Sequence, residues 1–238
     1  MQAFGLLPPF MSTFGTSMKK VIFALLCIAN LAGASASASV ILNTSGMQYA
    51  SPTTVHIKSV TNTLDLHVYS GAFNTTASDR VGAFPSWCVD IVQDTFFNET
   101  VTDYARVSGV DPIGGGKSQL LLRLATDSLD LVTDARTSSA FQLAIWEILN
   151  EPTAAYNLTS GNFTAYGASD DSILLANNWL NNLPAAGMPN QYMISVYESA
   201  SRQDLATFAR VPEPSTIAVL AAGLLSFAVS RRIRKHNA

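Results

Sequence analysis

Two apolar runs, one at each end of the chain, confine whatever folds to the residues between them. Near the start, Met18-Lys19-Lys20 precedes the apolar run 21–32, and Ala34-Ser35-Ala36-Ser37-Ala38 then offers Ala-x-Ala sites. A basic opening, a short apolar stretch and small residues at a cleavage point make a secretory signal peptide. The residues ahead of Met18 carry no charge, so translation is expected to begin at Met18. At the far end, Val211-Pro212-Glu213-Pro214 leads into the apolar run 215–230, closed by Arg231, Arg232, Arg234 and Lys235. That run is shorter than the ~20 residues that comfortably span a bilayer core, and its basic cluster sits where positive charge stays cytoplasmic. A single hydrophobic helix held weakly in a membrane is predicted.

Pro-Glu-Pro, a short hydrophobic helix and an Arg-rich end, in that order, resemble the PEP-CTERM sorting signal of Gram-negative bacteria that make extracellular polysaccharide. The resemblance implies processing by an exosortase, transient anchoring in the inner membrane, and a final place at the cell surface or in the extracellular matrix. The expected plan is a signal region over 1–38, an exported domain over 39–205, a linker with the Pro-Glu-Pro motif over 206–214, a sorting helix over 215–230 and a basic cytoplasmic end over 231–238.

Between the two ends lies one domain's length of chain, enough to bury a real core. Residues 39–210 hold eight Lys or Arg against sixteen Asp or Glu, a formal charge of −8 that the near-neutral whole chain conceals. Such a domain repels phosphate backbones, which excludes nucleic acid as a partner. Cys27 falls in the signal region and leaves Cys88 alone in the exported domain. A lone cysteine in an oxidising compartment is buried and inert, joined to another chain, or committed to other chemistry.

The first half of the domain alternates as strands do, in Thr54-Val55-His56-Ile57-Lys58 and Leu64-Asp65-Leu66-His67-Val68-Tyr69, and residues 84–92 read as a buried strand with Cys88 and Asp90 on one face. After the breaker Asp111-Pro112-Ile113-Gly114-Gly115-Gly116 the period changes. Residues 117–126 and 135–151 read as helices, the second with Phe141, Ala144, Ile145, Ile148 and Leu149 along one stripe and Pro152 as its stop. A shorter helix over 170–183 and a closing strand over 191–197 follow, and the residues up to Arg210 read as polar linker. The fold class expected is α+β, a β-rich antiparallel sandwich or barrel with a helical insertion.

Gly114-Gly115-Gly116-Lys117-Ser118 invites a phosphate-loop reading, which fails because Asp111 stands where that motif needs its first glycine. With His56 and His67 and a single cysteine, the domain shows no metal-ligand spacing, and no cofactor is implied. Either histidine would suit a cysteine hydrolase if the fold brought it to Cys88.

The segment Phe141-Gln142-Leu143-Ala144-Ile145-Trp146 resembles the Gln-x-Ala-Ile-Trp helix of bacterial thioester domains, in which a strand cysteine attacks a glutamine amide, ammonia leaves and a thioester forms. Cys88 within Trp87-Cys88-Val89-Asp90 matches that family's aromatic-Cys-aliphatic motif and Gln142 its reactive glutamine; Phe141 stands where the family has Thr. The resemblance implies a thioester bond between Cys88 and Gln142. Trp146, one turn on, and Trp87 would shield it, and Asp90 would move the proton. The competing reading makes Ser139-Ala140-Phe141-Gln142 a capping box and Cys88 a small buried hydrophobe. Three functions follow: a thioester adhesin that captures an amine or hydroxyl on a surface or matrix polymer, without enzymatic turnover; a noncovalent structural protein of the exopolysaccharide matrix and its biofilm; or an exported cysteine hydrolase.

Overall fold

A computed structural model describes residues 39–49, 52–152, 155–168 and 171–212. The signal region and the sorting tail beyond Pro212 lie outside them. In chain order the elements are β1 (Ser39–Met47), β2 (Thr53–Ser59), β3 (Leu64–Ser70), β4 (Phe73–Ala77), β5 (Phe84–Cys88), β6 (Thr100–Ser108), α1 (Lys117–Ser128), α2 (Ala135–Asn150), β7 (Phe163–Tyr166), α3 (Ser172–Asn181), β8 (Tyr192–Glu198) and β9 (Leu205–Arg210). The fold is α+β. Six strands close an antiparallel barrel in the order β1-β4-β5-β9-β8-β6, and β6 pairs back onto β1. Register shifts in β1 at Thr44/Gly46 and Val40/Leu42 supply the local bends that closure of a small barrel needs. A separate three-stranded sheet, β3-β2-β7, turns Val55 and Ile57 of its central strand inward.

Helix α2 packs against β5 of the barrel and against β2, β3 and β7 of the small sheet. Every residue from Thr137 to Ile148 is buried, so the expected apolar stripe is only part of an all-round contact. Each large apolar side chain buried there contributes roughly 1.5–3 kcal/mol. Polar residues on such a helix need partners, and three of them find different ones. The Ser138 hydroxyl accepts from the Ala72 N–H at 2.8 Å, Gln142 pairs with Cys88, and Glu147 accepts from the Asn157 N–H at 2.6 Å.

Both helix starts differ in detail from a sequence reading. Asp134 caps α2, accepting from the Thr137 N–H at 2.8 Å while the Thr137 hydroxyl accepts from the Asp134 N–H. Ser139 is therefore inside the helix, and Gln142 is not a capping residue. At α1, the Asp111 carboxylate accepts from the N–H groups of Gly116 and Ser118, and Gly116 takes a φ of 74° that favours glycine. The glycine loop is thus folded around its own aspartate.

One boundary is corrected. The segment 206–214, read as linker, contributes most of β9, where Leu205, Ala206, Thr207 and Phe208 are all buried. A strand covered on both faces loses the polar-apolar alternation that marks a half-exposed one, which is why it reads as featureless.

Candidate functional site

Strand β5 ends at Cys88, whose partner across the ladder is Leu205 of β9. Gln142 reaches the same point from α2. The Cys88 N–H donates to Gln142 Oε1 at 2.9 Å, and Gln142 Nε2 donates to the Cys88 carbonyl at 2.8 Å. Both residues are buried, Gln142 being 1% and Cys88 4% exposed, so the pair is out of water yet fully bonded. The two groups that sequence places 54 residues apart are brought together.

The thiol has its own partner. Cys88 Sγ donates to Gln203 Oε1 at 2.8 Å, and Gln203 is a residue that sequence reasoning passed over. Nothing local marks it, since a glutamine between Arg202 and Asp204 reads as solvent-facing linker. Burial, and the nearby Asp90 carboxylate after it, hold the Cys88 thiol well above the usual thiol range. At neutral pH the resting group is the thiol.

Asp90 lies beyond the end of β5. Its carboxylate accepts from the N–H groups of Val92 at 3.1 Å, Gln93 at 3.0 Å and Asp204 at 2.8 Å. Those bonds tie the loop after Cys88 to the connection before β9.

A cavity of ≈ 360 Å³ opens at Cys88, lined also by Gln203, Trp146, Ile91, His67 and Phe97. Trp146 is 3% exposed and forms part of its wall. Trp87 does not line it, because successive strand residues face opposite sides. Its ring packs edge-on against Phe141 at 5.1 Å and Phe208 at 5.7 Å, so Trp87 backs β5 and leaves the cavity to Trp146. Phe141, at the position where a threonine was expected, fills this aromatic cluster.

The histidines sit on the small sheet. His56 and His67 are opposite one another on β2 and β3; His56 stacks on Tyr166 at 4.3 Å and pairs with Asp65. His67 lines the cavity, and among the described residues neither histidine hydrogen-bonds to the Cys88 thiol. No group of three His, Cys, Asp or Glu side chains among the described residues converges as metal ligands would.

At the end of β9 the domain meets its tail. The Arg210 guanidinium pairs with Asp130, and the Val211 N–H donates to the Gln191 carbonyl at 2.8 Å, so the chain is held to the domain as far as Val211. Residues 210–233 match the PEP-CTERM protein-sorting motif. The PEP-CTERM tail marks the chain for export to the surface or extracellular space and for processing by exosortase. Of its expected residues, Val211 and Pro212 are described; Glu213, Pro214, Arg231, Arg232, Arg234 and Lys235 lie outside the described residues. Among the described residues no helix is long and apolar enough to cross a membrane, and the sorting helix expected over 215–230 is outside them.

No curated protein matches the chain. Among solved structures, it is similar to a cysteine-to-alanine mutant of the N-terminal thioester domain of a Clostridium perfringens surface protein, with 12% identity over 66% of this chain and 99% of that one and a TM-score of 0.42. It is also similar to the N-terminal domain of the Streptococcus pyogenes pilus tip adhesin Cpa (14% identity, 70% and 98% coverage, TM-score 0.41). The thioester domain of the Staphylococcus aureus TIE protein is a third (10% identity, 71% and 92%, TM-score 0.42). What Cys88 and Gln142 do is decided by their own geometry.

Proposed function

We propose that the exported domain carries an internal Cys88–Gln142 thioester and uses it once, as an electrophile that captures an amine or hydroxyl on a surface or matrix polymer. The observation that supports this is the paired contact between the Gln142 carboxamide and the Cys88 backbone. As sulfur adds to the carboxamide carbon, charge develops on Oε1, the atom that already accepts the Cys88 N–H; a preset donor at a developing oxyanion is worth several kcal/mol. The C–N bond breaks, the S–C bond remains, and the nitrogen, held until then on the Cys88 carbonyl, leaves as ammonia with the thiol proton. Burial keeps water from the product, and confinement on a strand end and a rigid helix supplies the effective concentration that an amide leaving group requires. Capture then transfers the acyl group to the incoming nucleophile and frees the thiol, so there is no turnover. The tail would anchor the chain transiently in the inner membrane before exosortase processing.

Intact mass tests the reading. The wild-type domain is expected to be lighter than its sequence by one ammonia, Cys88→Ala to have full mass, and methylamine to convert the first into an adduct. Full mass with a freely alkylated thiol overturns it. The second reading, a noncovalent matrix protein, is favoured by one observation, the burial that holds the Cys88 thiol well above the usual thiol range, and that same result would select it.

A further inference from the structure

We infer that Gln203 is the positioning residue of the Cys88 thiol, fixing where its proton points and so which side of the sulfur is offered to Gln142. The inference deepens the thioester reading and rests on it for its second half.

Gln203 is 8% exposed and is held through four polar groups. Its N–H donates to the Asp94 carbonyl at 3.3 Å, and its carbonyl accepts from the Tyr104 hydroxyl at 2.8 Å. Its side-chain Nε2 donates to the Asp90 carbonyl at 2.7 Å, and its Oε1 accepts from Cys88 Sγ. The orientation of the amide is forced, because a backbone carbonyl can only accept and Asp90 therefore takes the N–H end. The oxygen end is left for the thiol. An S–H committed to that oxygen leaves the sulfur lone pairs directed elsewhere, free for the carboxamide carbon of Gln142, whose oxygen and nitrogen hydrogen-bond to the backbone of the same cysteine. Neither Gln142 nor Asp90 does this: the first is occupied with the Cys88 backbone, the second with three N–H groups.

A neutral glutamic acid is an isostere here, its O–H donating to Asp90 and its C=O accepting from the thiol; a glutamate anion faces the Asp90 carbonyl with no proton to give. Gln203→Leu removes both functions. In otherwise wild-type protein, kept reduced and followed by intact mass, Gln203→Leu is expected to slow ammonia loss on the order of tenfold or more, the usual penalty for a misplaced reactant. Gln203→Glu is expected to recover the rate at pH 5 and lose it at pH 8, a profile that a purely structural role would not produce. Ammonia loss at the wild-type rate in Gln203→Leu, or a Gln203→Glu rate flat with pH, overturns the inference.

A second arm separates it from the thioester reading. In a Gln142→Ala background no thioester forms, and the pH profile of Cys88 alkylation by iodoacetamide reports the thiol alone. Gln203→Glu there is expected to move the profile to higher pH, since it sets a carboxylate against the sulfur; an unmoved profile shows that residue 203 does not touch the thiol and overturns the inference whatever the wild-type mass.

Discussion

The Gln142 carboxamide and the Cys88 backbone satisfy each other through two hydrogen bonds, 2.9 Å from the cysteine N–H to Oε1 and 2.8 Å from Nε2 to the cysteine carbonyl. The contact joins α2 to the end of β5 whether or not sulfur reacts, and its structural share can be measured apart from its chemistry. In a Cys88→Ala background, where no thioester forms, Gln142→Leu leaves a buried N–H and a buried C=O without partners. A loss of roughly 2–4 kcal/mol is expected, read from denaturant midpoints at unchanged slope. A loss below ~1 kcal/mol would show that the pair contributes little to the fold.

Glu147 is fully buried on α2, and burial first, with Glu151 nearby, raises its carboxyl to about 7. In the unfolded chain the group ionises near 4.5. The folded state therefore holds the extra proton between those values, and stability is full below the lower one and falls as pH rises through 7. The shift corresponds to roughly 3 kcal/mol. Asp204, raised to about 6 chiefly by burial, tilts the curve in the same direction, so the informative quantity is the difference between wild type and Glu147→Gln. The variant is expected to lose most of the slope between pH 4.5 and 7; parallel curves would place the dependence elsewhere.

Lys117, the lysine of the glycine loop, donates from Nζ to the carbonyls of Ile148 at 2.6 Å and Glu151 at 2.7 Å. It closes the C-terminal end of α2, where carbonyls lack partners within the helix. Lys117→Met keeps the apolar stem and removes the charge. A loss of roughly 1.5–3 kcal/mol is expected in thermal or chemical unfolding, with no change in affinity for nucleoside triphosphate, whose binding the wild type is expected to lack.

Gly161 adopts a φ of +122°, and a Cβ there would meet the Glu151 carboxylate. That carboxylate accepts from the Phe163 N–H at 2.8 Å, at the start of β7. Gly161→Ala is expected to cost more than about 2 kcal/mol and to speed amide exchange at Phe163 selectively; protection equal to wild type would separate the glycine from the strand it adjoins.

The parts legible in sequence were those whose signals lie within a few residues. Helix α2 announced itself through its spacing, the tail through three features in fixed order, and Cys88 and Gln142 through short motifs that flank each. The parts not legible were of two kinds. Strand β9 is covered on both faces, which erased its period, and Ser139 lost the cap to Asp134 because Thr137 completes a tighter exchange one turn earlier.

Sequence by itself determined the address, the acidity of the exported domain, and the identity of the cysteine and the glutamine that meet. Only the tertiary structure decided what surrounds them. Pairing of β5 with β9 carries Gln203 to the thiol across 115 residues, turns Trp87 away from the cavity, and spends Asp90 on backbone N–H groups. The reason is physical. Propensity and periodicity act along the chain, whereas a hydrogen bond between strands is fixed by register, and register is settled only when the barrel closes.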